Sequence, residues 1–145
     1  MPDFKSEISL FLKTIYNNIL AFEQKQLAKT NTNLTINEVH IIDQIGLDGE
    51  KKMTDVAEKM GITLATMTAA ADRLEQKGCI VRERSKTDRR IVLLSLTRNG
   101  KVTFMMHERF HLRMVDKVVA SMSDEEMAVL TKAIMRINDF FVEEH

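Results

Sequence analysis

One cysteine, one proline and five glycines in 145 residues exclude several kinds of protein at once. A single thiol cannot close an intramolecular disulfide, so a reducing cytoplasm is the expected setting. So little Pro and Gly argues against a disordered chain and for a compact, mostly helical one. No uninterrupted apolar run approaches the roughly 20 residues that cross a bilayer, so no membrane partner is expected. The opening MPDFKSEISL is charged throughout and does not read as a signal peptide. Glycine-rich phosphate loops, nucleophile elbows and paired-carboxylate motifs are all missing, which points away from an enzyme. Net charge is absent too, since 21 Lys and Arg balance 21 Asp and Glu.

What is present is a chain of one domain's length, 44% hydrophobic, with enough apolar residues for a substantial core. Its charge is unevenly spread. Between Arg73 and Lys101 nine basic residues face three acids, a net +6 that leaves −6 for the remainder. A basic module in an acidic frame is the electrostatic footprint of nucleic-acid binding.

Hydrophobic periodicity divides the chain into six helices and a hairpin. Phe4, Ile8, Phe11, Leu12, Ile15, Tyr16, Ile19 and Leu20 recur at helical spacing, so the first 27 or so residues form one amphipathic helix. Thr35 opens a second with Glu38 as its capping-box partner, and Val39, Ile42 and Ile45 form its buried stripe. TDVAEKM begins a short helix that Thr54 can cap and Gly61 stops. Thr63 can cap a longer one through about Lys77, ended by Gly78. CIVRER and IVLLSL then read as strands around the polar SKTDRR, with Arg82 and Arg84 on one face. Thr97 begins a long helix with Val102, Met105, Met106, Phe110, Met114 and Val118 on its apolar side. Ser123 and Glu126 cap the last helix, whose stripe is Met127, Leu130, Ile134, Ile137 and Phe141.

The expected fold is therefore mainly α with a small two-stranded β wing. It is a winged helix-turn-helix over about 35–97, flanked by long helices over about 1–30 and 100–145 in a single 1–145 domain. The end helices carry wider apolar stripes than so small a middle can cover, which predicts a homodimer. A helix-turn-helix places its second helix in the major groove. On TLATMTAAADRLEQKG, Leu64, Met67, Ala71 and Leu74 should face the core. Thr63, Ala65, Thr66, Thr68, Ala69 and Arg73 are left as DNA-facing candidates, with Thr54 on the preceding helix. Two short packed helices also occur in many proteins with no such role. The wing shifts the balance. In an extended segment Asp88 and Arg90 share a face, so the aspartate can orient a guanidinium that a narrow minor groove attracts. Lys86 and Arg89 are then available for phosphates.

The stretch MTDVAEKMGITLATMTAAADRLEQKGCIVRERSKTDRRIVLLSLTRNGK resembles the winged helix-turn-helix of the MarR family of bacterial transcription regulators. D-R-R, an apolar run and then LTRNG carry the likeness, and the flanking helices have the family's lengths. The resemblance implies a dimer on a palindromic double-stranded operator, with Arg90 entering the minor groove under the control of Asp88. Within the family, FLKTIYNNILAFEQKQL, NEVHIID and HERFHLRMVDKVVASMSDEEMAVLTKAI resemble the branch of fatty-acid-synthesis repressors called FabT. That likeness implies long-chain acyl-acyl carrier protein as corepressor, with no required cofactor.

Two effector readings stay open. Ten methionines and seven phenylalanines suit an adaptable acyl pocket, with Glu23, His40, Phe104, His107, Phe110 and His111 as candidates around it. Met and Phe stripes also build ordinary cores. His107 and His111, one turn apart on a helix, can hold one metal ion. With Glu23 and His40 they match the ligand set of zinc-sensing relatives of the AdcR type, so a zinc-responsive regulator is the alternative. A second metal site and a His-rich run of those relatives have no match, and the histidines could instead form a buried polar network. Cys79 sits where a core residue is expected. The remaining alternative is a winged-helix interaction module that binds no DNA.

Overall fold

A computed structural model describes residues 3–144. Its helices are α1 (Phe4–Ala28), α2 (Ile36–Ile45), α3 (Met53–Met60), α4 (Leu64–Gln76), α5 (Arg98–Val119) and α6 (Asp124–Glu143). The strands are β1 (Lys51–Lys52), β2 (Ile80–Arg84) and β3 (Val92–Leu96). The chain divides after Phe104 into two compact units. No helix among the described residues is long and apolar enough to cross a membrane.

In the first unit the helix ends follow the expected chemistry. The Thr35 hydroxyl accepts the Glu38 amide while the Glu38 carboxylate accepts the Thr35 amide, a complete capping box. Gly78 follows α4 at φ +72°, a left-handed conformation that a side chain would strain. One cap differs. α3 begins at Met53 with Lys52 as its N-cap and no side-chain capping bond, so Thr54 lies inside the first turn.

The sheet has three antiparallel strands in the order β1-β3-β2, where the periodicity had indicated two. β1 is two lysines paired with Leu93 and Leu94, too short to show any alternation of its own. The core closes where α2, α3 and α4 meet this sheet. Ile42, Ile45, Met67, Leu74 and Leu94 are completely buried there, and Leu20 and Leu27 of α1 pack at its edge. Leu64 was expected in this core but is 49% exposed. The whole first turn of α4 is exposed, so a place on the apolar stripe does not bury it, and Ala70 joins Met67, Ala71 and Leu74 inside.

Thr97 locks the hairpin to α5. Its hydroxyl donates to the Gly78 carbonyl at 2.6 Å and accepts the Gly100 amide, and its own amide donates to the Cys79 carbonyl. Gly100 approaches so closely that a Cβ there would lie 2.1 Å from the Cys79 carbonyl oxygen. Cys79 is buried, and both that burial and the Glu38 charge push its thiol pKa up, away from reactive thiolate.

α1 shows an exposed apolar surface, with Phe4, Phe11 and Tyr16 each more than half exposed. In the second unit α6 has the expected Ser123–Glu126 capping box, but none of its residues is fully buried. Ile134 and Phe141 stand open on it, as do Met105 and Val118 on α5, while Phe110 is buried. Periodicity tells which face of a helix is apolar and leaves open what covers it.

Glu38 is the exceptional buried group, only 2% exposed. Its Oε2 accepts the Thr35 amide and, at 2.8 Å, the Lys77 ammonium, and its Oε1 accepts Arg73 Nε at 3.4 Å. Burial pushes its pKa up, but the Lys77 hydrogen bond, the Thr35 amide and Arg73 together hold it below the ordinary value of 4.5. A depressed folded pKa adds stability that is complete above that ordinary value and drains away as pH falls through the folded one. Glu38→Ala should destabilise the protein by about 3 kcal/mol, because it strips a part-buried lysine of its partner. It should also flatten the acid limb of the stability curve. Urea unfolding at a series of pH values measures both, and a variant as acid-sensitive as wild type would contradict the assignment.

Candidate nucleic-acid interface

The candidate DNA-facing residues lie on α3, α4 and the hairpin tip, all in the first unit. At the start of α4 the Thr63 hydroxyl accepts the Thr66 amide at 3.1 Å and donates to the Thr66 hydroxyl at 2.9 Å. Thr63 is thus engaged in capping, while the exposed Thr66 hydroxyl still has its own proton to donate. Ala65 and Ala69 are exposed and small, which permits close approach of a groove wall. Thr68 turns its hydroxyl onto its own helix, donating to the Leu64 carbonyl at 2.8 Å. Arg73 is 55% exposed and donates Nε to Glu38. Thr54 is exposed on α3.

At the tip a turn brings Asp88 and Arg90 together, where strand alternation had been expected to do so. The Ile91 amide closes this turn on the Asp88 carbonyl at 3.0 Å. Asp88 Oδ1 accepts both the amide and Nε of Arg90 at 3.1 Å, and Oδ2 accepts Nη2 at 3.0 Å. This two-pronged grip holds a side chain that is 91% exposed. The Arg90 side-chain bond, then its amide, and the charge of Lys52 hold the Asp88 carboxyl below its usual range. The Arg90 guanidinium keeps its proton all the more firmly. The loop beneath is fastened by Ser85, which is buried and accepts the Thr87 and Asp88 amides on its hydroxyl.

The basic segment splits into two populations. Arg82 pairs with Asp72 and Glu75, Lys77 with Glu38, and Arg84 donates to the Arg89 carbonyl. Lys86, Arg89, Arg98 and Lys101 are exposed and make no ion pair among the described residues, so they carry the outward positive field with Arg90. Periodicity had marked Arg82 and Arg84 as sharing a face. Their internal bonds depend on residues elsewhere in the fold and have no signature in spacing.

The effector candidates form close pairs within each unit. In the first, His40 Nε2 lies 2.8 Å from Glu23 Oε2, with Glu23 buried and Phe104 packed on the core. In the second, His107 and His111 bring their Nε2 atoms to 3.2 Å, with Phe110 stacked on His107 and edge-on to His111.

The MarR family model matches residues 34–92, the span from α2 through the hairpin. The structure is similar to that of Streptococcus pneumoniae FabT in complex with DNA, at 36% identity and a TM-score of 0.92, over 97% of this chain and 99% of that one. The HTH-type transcriptional regulator YfiV of Bacillus subtilis (strain 168) is 33% identical over 67% of this chain, which spans 61% of YfiV. The HTH-type transcriptional repressor MdtR of the same organism is 28% identical, over 84% of this chain and 77% of MdtR. YfiV and MdtR carry the names of transcriptional regulators, and the FabT structure holds DNA. On this likeness, this chain belongs to the MarR family of DNA-binding transcription regulators.

Proposed function

We propose that this protein is a homodimeric repressor of fatty-acid-synthesis genes, with long-chain acyl-acyl carrier protein as its corepressor. The end-to-end likeness to FabT carries the reading, because it extends through the helices outside the DNA-binding lobe. A dimer is supported by the open apolar surfaces of α1 and α6, which are of the kind that mark interfaces. Its two recognition helices would meet a palindromic operator in half-sites about one helical turn apart. In this reading Thr54, Ala65, Thr66 and Ala69 face the major groove, Arg90 enters the minor groove, and Arg73, Lys86 and Arg89 meet phosphates.

An acyl group that binds the DNA-competent state better than the other shifts the protein toward it, so operator affinity rises with corepressor. A second reading rests on His107 and His111. Their 3.2 Å separation fits two nitrogen ligands of one tetrahedral zinc.

Arg90→Ala should weaken binding to the selected operator roughly tenfold to a hundredfold, the range for a lost groove-reading contact. Asp88→Ala should cost less, since Asp88 only aims the arginine. Fluorescence anisotropy with labelled operator measures both, and an Arg90→Ala protein that binds like wild type would sink the wing assignment.

Operator affinity should fall steeply with added salt, because phosphate contacts from Lys86, Arg89 and Arg73 release counterions. Titration from about 50 to 200 mM salt should lower it at least tenfold for a handful of phosphates neutralised per dimer. A flat response would remove phosphate contact as the basis of binding.

Titrating the operator complex with carrier protein bearing long or short acyl chains, and separately with Zn²⁺ and a chelator, decides between the effectors. Tighter binding with long chains alone supports the corepressor reading. A chelator effect with no dependence on chain length supports zinc.

A further inference from the structure

β2 carries its cations on an unexpected side. Ile80, Arg82 and Arg84 pair across the hairpin with Leu96, Leu94 and Val92, so all six point to one face of the sheet. That face is the core face, where Ile80 and Leu94 are buried and against which α4 packs. Toward the tip the strand's inner residues change from apolar to guanidinium. Arg82, whose side chain is only 25% exposed, spans from the strand to the helix. Its Nη2 donates to Asp72 Oδ1 at 2.6 Å and to Glu75 Oε1 at 3.3 Å. Asp72 directly precedes Arg73 on α4. Arg84, two residues on, donates Nη1 to the Arg89 carbonyl at 2.8 Å, inside the turn that carries Arg90.

We propose that Arg82 and Arg84 are positioning residues that brace the wing against the recognition helix and thereby set which operator spacing the protein accepts. The proposal rests on α4 and the wing being the two DNA-reading elements. The brace runs from Asp72 and Glu75 through Arg82 to β2, then through Arg84 to the tip. A planar guanidinium whose Nη2 is held between two carboxylates has directional geometry that a flexible ammonium lacks. Exposed ion pairs of this type add little to stability, so direction is what these contacts supply. With the brace in place, the distance and angle between α4 in the major groove and Arg90 in the flanking minor groove are fixed. One inserted base pair moves the minor-groove target by about 3.4 Å and turns it about 34°, a mismatch that a rigid wing cannot follow. Neither arginine is then a DNA contact, despite lying within the basic segment.

The test uses the full-length protein and DNA. An operator is selected from a random duplex library with wild-type protein. One base pair is then inserted or deleted between the recognition-helix bases and the flanking minor-groove tract. Wild type should lose about tenfold in affinity on either change, comparable to a mismatched base pair. Arg82→Gln, Arg84→Met and the acid-side pair Asp72→Asn with Glu75→Gln should each compress that penalty to about twofold, while Arg82→Lys keeps an intermediate one. The acid-side variant touches no cation in the wing, so agreement with Arg82→Gln excludes a lost phosphate contact. Unchanged thermal midpoints exclude a folding defect, and Arg82→Lys supplies a milder variant should Arg82→Gln fold poorly.

A uniform loss of affinity at all spacings, or an unaltered spacing profile with Arg90→Ala still weakening binding, would overturn the brace alone. Wild-type affinity in Arg90→Ala would overturn the wing reading and the brace with it.

Discussion

A single buried carboxylate joins the two ends of the DNA-binding lobe. Glu38 accepts a backbone amide from the start of its own helix and two side-chain cations from the end of α4. An apolar residue there would pack as well, yet it could not choose one register for α4 against α2. Three donors from fixed directions do choose one. The cost of desolvating the carboxylate is offset only while all three stay in place, which ties the order of α4 to that of the Thr35 turn. Lys77 extends the tie to the Asn33 carbonyl ahead of α2.

From that anchor the other charged contacts act mainly as aiming devices. The hydrophobic core of α2, α3, α4 and β3 supplies the stability, with Leu94 at the centre of the sheet completely buried. The Asp88–Arg90 and Arg82–Asp72 pairs are too exposed to contribute much in that respect. They restrict direction instead. A guanidinium already held in a fork loses less freedom when it enters a groove, and a wing tied to the helix arrives with both at the same time.

Outside that lobe the chain follows a different logic. α1 and α6 keep large apolar side chains exposed along their length, and on α5 His107 and His111 pair one turn apart. Exposed apolar surfaces of that extent are of the kind that mark interfaces. In a regulator, effector and DNA must bias the same equilibrium, and elements that gain much of their burial on assembly are suited to carry that coupling.

Sequence alone determined whatever depends on residues within about one helical turn of each other. Thr35 with Glu38, Thr63 and Ser123 with Glu126 mark helix starts because a hydroxyl three residues before an amide can reach it. Gly78 marks an end, and the Met67, Ala71 and Leu74 stripe marks a buried face. Asp88 and Arg90 were legible as partners because they are two residues apart, although the turn that joins them was not. Leu64 was misplaced, since periodicity assigns a face and cannot say how far the core extends along it. The rest was settled in three dimensions. β1 is a strand only because β3 offers it an edge. Glu38 is a three-way acceptor only because α4 ends beside α2, 35 and 39 residues later in the chain. Arg82 meets Asp72 and Glu75 only because the hairpin folds back over α4. These contacts join residues whose separation in sequence carries no period, so only closure of the core could bring them within bonding distance.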